Sequence, residues 1–177
     1  MEKITRFSDI LSGVGGALSG IMIVGGTLLV IAEIIIRTLF SGTLYITEEY
    51  SGYLMAALTF LALGYTLREK GHIRMTFLHN VLHGRSRLIL DMICYLAGFV
   101  FCSVLTWVTF LFFRDSLASG TRSMQISETY LAIPQSFLPA GAFILALQFL
   151  AEFLKDLVRF RTGSWKDVAE ESRDLGH

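Results

Sequence analysis

Two cysteines, four histidines and a few carboxylates beside apolar runs are the residues of this sequence that could do chemistry. Cys94 and Cys102 stand eight positions apart. On one helix that is about 12 Å of rise, so they cannot bridge each other, and paired-cysteine redox chemistry is excluded. His72, His79 and His83 fall within twelve residues, and His177 is the last residue of the sequence. Three imidazoles so close could hold a metal, yet no Cys or Asp joins them at ligand spacing, and the polar face of a surface helix accounts for them. None lies in an apolar run, where an axial haem ligand would have to be. No metal and no cofactor is expected.

Charged residues at the edges of the apolar runs offer contacts in place of catalysis. Glu33 and Arg37 are four apart, hence on one helical face, and are expected to form a structural ion pair. Glu48 and Glu49 open an apolar run. One carboxylate there complements the positive end of the helix dipole, and two together on an outer loop could receive a basic partner. Asp91 lies near Arg87 and reads as a local ion pair.

The elements that carry these residues follow from composition. The chain has 177 residues, 53% hydrophobic and 17% charged, with a mean hydropathy of +0.58, outside the range of soluble domains. Uncharged runs of 23, 18, 22 and 23 residues separate Asp9 from Glu33, Glu49 from Arg68, Asp91 from Arg114 and Glu128 from Glu152. Each is long enough to cross about 30 Å of hydrocarbon, which takes roughly 20 helical residues. The expected fold is all-α integral membrane, with four transmembrane helices at about 11–36, 50–69, 88–113 and 131–157. Residues 1–160 form one domain in this reading, and 161–177 a charged tail. The first run is longer than the roughly 7 to 15 residues of a cleavable signal, so it is expected to stay as an anchor.

Basic and acidic residues number 15 each, and a net charge of zero offers nothing to nucleic acid. Their distribution is uneven. Twelve Lys and Arg flank the termini and the second connection, against three (Arg37, Arg114 and Arg122) on the other side. Basic loops stay in the cytoplasm, which predicts a multi-pass protein of the bacterial inner membrane with both termini cytoplasmic. A dual-topology small multidrug transporter needs balanced flanks and is disfavoured.

Within the spans, Gly16 and Gly20, and again Gly52 and Ala56, form small-xxx-small steps suited to close helix packing. The stretch HIRMTFLHNVLH at 72–83 is amphipathic, as a short helix in the cytoplasmic interface would be. Residues 114–130 read as an exposed loop broken at Gly120. Pro134 is expected to start the fourth helix and Pro139 to kink it. No internal repeat and no mid-span charge is present, unlike a carrier that works alone. The chain is therefore expected to support a site that it does not contain. Rival readings are a membrane anchor of a respiratory oxidoreductase, for which a haem spectrum would speak, and an independent small transporter.

Arg37, the pair Glu48 and Glu49, and a span ending in Arg68 followed by Gly71, His72 and Ile73 together resemble a known pattern. It is that of the small membrane subunit, the DctQ component, of tripartite ATP-independent periplasmic (TRAP) transporters. Gly120, Ser123, Leu131, Ile133 and Pro134, running into Gly141, resemble its last helix, and the likeness covers about residues 5–160. Thr76 stands where the family often has Asp, and Gln135, Ser136 and Phe137 where it often has Trp. The resemblance implies a periplasmic binding protein that delivers an organic acid, such as a C4-dicarboxylate or sialic acid. It also implies a large polytopic subunit that carries the substrate and sodium sites and moves in an elevator-like way. This chain would be the fixed scaffold, with no substrate site of its own. Arg37, Glu48, Glu49 and Arg122 are then the candidates for contact with those partners, and membrane lipid surrounds the rest.

Overall fold

In the lipid core every backbone N–H and C=O must find its partner within the protein, so long apolar runs have little choice but helix. The computed structural model describes residues 2–69 and 85–162. Among the described residues the regular secondary structure is helical, apart from one isolated antiparallel bridge, Arg122 to Tyr130. Helix α1 covers Glu2–Phe40, α2 Ile46–Arg68, α3 Arg85–Ser119, α4 Ala132–Gln135 and α5 Phe137–Thr162. Four of these are long and apolar enough to cross a membrane. The proposed interfacial helix at 72–83, its three histidines and residues 163–177 lie outside the described residues.

The helices outrun the apolar runs that announce them. At 1.5 Å per residue, the 39 residues of α1 make about 58 Å of helix, nearly twice the hydrocarbon thickness, so α1 leans or protrudes. It stops at Ser41, whose φ of 50° is a left-handed conformation that no helix continues. Pro134 lies in the first turn of the short α4, where the fourth span begins, and the span is interrupted at Ser136, just upstream of Pro139. The cause is Pro139 itself: it has no N–H for the carbonyl of Gln135, and its ring crowds that carbonyl. The Ser136 hydroxyl turns back to the Ile133 carbonyl at 2.7 Å and helps to carry the chain through the break.

Helix α5 is the centre of the assembly. It packs along α3, α2 and α1, while α1 also lies along α2, and α1 and α3 scarcely meet. Hydrophobicity does not drive helices together in lipid, so contact depends on close backbone approach. Glycines provide it. A Cβ on Gly141 would run into the main chain of Phe60, one on Gly15 would lie 2.7 Å from the Leu61 carbonyl oxygen, and one on Gly98 would meet the Phe149 ring at 2.6 Å. Between α3, α2 and α5 sit Leu67, Tyr95, Cys102, Leu145 and Ala146, flanked by Phe99, Phe149 and Phe153. Cys102 is buried and Cys94 exposed, and both are free thiols.

Candidate functional site

The polar side chains gather at the two ends of the bundle. At one end, the start of α1 meets the ends of α2 and α5, so Glu2 and Thr162 close their helices on the same side. At the other end, the α1–α2 turn meets the segment between α3 and α4.

At this second end Glu33 does more than the expected pairing. Arg37 Nε lies 3.6 Å from its Oε1. The other oxygen accepts the backbone N–H of Leu44 at 2.7 Å and the Thr47 hydroxyl at 3.4 Å. One carboxylate thus holds the turn between α1 and α2 and orients the start of α2, whose N-cap residue Tyr45 makes no side-chain cap bond.

The adjacent carboxylates divide. Successive residues on a helix point about 100° apart, and here Glu48 is exposed whereas Glu49 is buried, at 8% exposure. Glu49 accepts the Tyr53 hydroxyl at 2.6 Å on one oxygen and the Ser127 hydroxyl on the other. The segment it holds is folded. Gly120 turns left-handed after α3 with φ 65°, and Ser123 N–H donates to Thr129 O at 2.9 Å. Leu131 N–H donates to Thr121 O at 3.2 Å. A turn at 125–128, with Glu128 at φ 44°, closes the hairpin. Arg122 and Glu128 pair at 3.6 Å across it, both largely exposed. At the tip, Met124 and Ile126 face outward with 106% and 73% exposure. Glu49→Ala removes the acceptor of both the Tyr53 and the Ser127 hydroxyls. Amide exchange at Ser123 and Leu131 is expected to rise about tenfold; unchanged protection would show that the hairpin stands on its own ladder.

A second polar site, at the first end, has no counterpart in the reading of the sequence. Gln148 on α5 is fully buried, with 0% exposure, as are Ser8 and Ser12 of α1, at 1% and 0%. The Gln148 Oε1 accepts both serine hydroxyls, at 2.7 and 2.8 Å. Its Nε2 donates to Asp9 Oδ1 at 3.2 Å and Glu152 Oε1 at 3.3 Å. Lys155 then joins those two carboxylates, 2.8 Å from Glu152 and 3.5 Å from Asp9. Arg68 from α2 donates to the Asp9 carbonyl at 3.1 Å. One amide thus uses its acceptor and its donors together, so the clasp fixes the register of the first helix against the last. Ser8 and Ser12, like Gln148, Glu152 and Lys155, have helix-face spacing; that was the available signal.

The proposed packing steps also divide. Gly16 lies under Tyr65, where a Cβ would come within 2.6 Å of the ring. Gly20 and Gly52 have nothing within 4 Å of a built Cβ, and Ala56 is exposed. Arg37 and Arg122 are mostly exposed, and the Arg87 side chain, the expected partner of Asp91, lies outside the described residues. Among the described residues no three His, Cys, Asp or Glu side chains gather as metal ligands would. The geometry is that of a braced bundle with ties at both ends.

The family described as Tripartite ATP-independent periplasmic transporters, DctQ component, matches residues 26–159, from the middle of α1 almost to the end of α5. No curated protein and no solved structure matches. The family is a transporter component and not an enzyme family. With four membrane-spanning helices and that match over most of its length, the chain belongs to the DctQ component family of TRAP transporters.

Proposed function

We propose that this chain is the fixed scaffold subunit of a TRAP transporter. It lies in the bacterial inner membrane with both termini in the cytoplasm and supports a large polytopic subunit. That partner performs sodium-driven uptake of an organic acid delivered by a periplasmic binding protein. The observation that carries the reading is the family match. It is supported by the way the polar residues are used: the Glu33, Glu49 and Gln148 groups bond to their own chain, as befits a support rather than a carrier. On this reading the hairpin end faces the periplasm. The exposed Glu48, Arg37 and Arg122, with the hairpin tip, are the outer contacts, while Glu49 serves them by holding the hairpin in place.

Mild-detergent purification from native membranes tests the scaffold. A much larger polytopic chain should copurify, and uptake in liposomes should need both chains, the binding protein and a sodium gradient. Uptake by this chain alone would overturn the proposal.

The open and covered glycines give a sharper test. Gly16→Leu is expected to lower the stability of the chain itself, because Tyr65 occupies the space. Gly20→Leu and Gly52→Leu should leave helicity and melting unchanged yet cut recovery of the large chain severalfold. If both open-face variants copurify it at the wild-type level, that face is a lipid surface.

A further inference from the structure

Beyond its scaffold role, we propose that the groove between α3 and the α4–α5 junction holds one acyl chain of a phospholipid, whose phosphate rests on Arg114. The groove, of about 480 Å³, is lined on one side by Ser103, Thr106, Trp107, Phe110 and Phe113 and on the other by Ser136, Pro139, Ala140 and Phe143. That volume is in the range of small-molecule sites. Its hydroxyls are already used within their own helices. Ser103 donates to Phe99 O, Thr106 to Cys102 O and Ser136 to Ile133 O, each at 2.7 Å. An occupant therefore meets aromatic rings and methyl groups, not hydrogen-bonding partners.

Length and charge select the occupant. Ser103 to Arg114 is about 16 Å of helix, close to the half-thickness of a hydrocarbon core of about 30 Å. The groove thus runs through one leaflet. Arg114 follows Phe110 by four residues on the same face, where the apolar run of α3 gives way to charge. It is exposed and makes no ion pair or hydrogen bond by its side chain among the described residues. A guanidinium above an aromatic groove one leaflet deep fits an anionic phosphate with a chain beneath it. Trp107, Phe110 and Phe143 remain 63%, 45% and 50% exposed along the opening, which leaves entry from the side.

The test is native mass spectrometry of the full chain, with whatever subunit copurifies, after exchange into detergent and titration with a diacyl phosphatidylglycerol. The wild type should keep one phospholipid per chain. Ala140→Trp, at an exposed groove position, should reduce that adduct at least fivefold, and Arg114→Gln severalfold, with melting unchanged for the latter. A photo-crosslinker at Phe143 should yield an adduct of lipid mass. A wild type that keeps no lipid overturns the proposal, and so does an adduct indifferent to Arg114→Gln. Crosslinking of Phe143 to another polypeptide would overturn it as well, by showing that a protein side chain fills the groove.

Discussion

Gly141→Leu is expected to be the most damaging single change in the protein, with loss of most of the folded material recovered from membranes. The Cβ at this position falls on the carbonyl group and Cβ of Phe60, and the carbonyl belongs to a helix that cannot move aside as a flexible side chain would. Overpacking typically costs about 1–3 kcal/mol where side chains can adjust, and more where backbone must shift. Separating α2 from α5 at this point also strains the neighbouring contact, where Gly64 meets Ile144. Gly141→Ala already introduces the offending atom and should give an intermediate loss. The measurement is the yield of monodisperse protein and the fraction of SDS needed for unfolding. Wild-type values for Gly141→Leu would mean that α2 and α5 do not approach so closely in the bilayer.

Gln148→Leu is expected to be nearly as harmful, for a different reason. It keeps the bulk but removes all four hydrogen bonds of the amide and leaves two buried serines to find other acceptors. Interhelical hydrogen bonds in membranes average about 0.6 kcal/mol, with a maximum of about 1.7, so the combined loss is about 2 kcal/mol. The double variant with Ser12→Ala should lose little more than Gln148→Leu alone, since the serine bond is already gone. Strict additivity in SDS unfolding would show that the network is not coupled. Lys155→Met should cost less, because that side chain is a third exposed and its pairing is partly screened.

The four spans were legible because lipid requires length and apolarity, which can be counted along a chain. Their ends were not. Residues 2–10 mix charged and polar residues with apolar ones, so no uncharged run marks them, yet α1 extends through them, and its Ser8 and Asp9 bond to Gln148 of α5. The Glu33–Arg37 geometry follows from spacing alone, but the hold of Glu33 on Leu44 depends on the path of the turn. Gly16 and Gly20 look equivalent in sequence, and only the course of α2 across α1 gives one a neighbour and leaves the other open. The Gln148 clasp joins positions 140 apart, and no local pattern records which serine an amide will reach. Likewise the separation of Glu48 from Glu49 required knowing where the hairpin returns.

The manner in which α3 is attached has a mechanical consequence. Helices α1, α2 and α5 touch one another pairwise and close a triangle, whereas α3 leans on α5 and α4. A pull on the start of α3, at the end away from the hairpin that Glu49 ties to α2, would load the Gly98–Phe149 and Tyr95–Phe149 contacts before it reached the prism behind. Under tension the outrigger would peel away first, and the three-helix prism would remain standing as a separately cooperative unit.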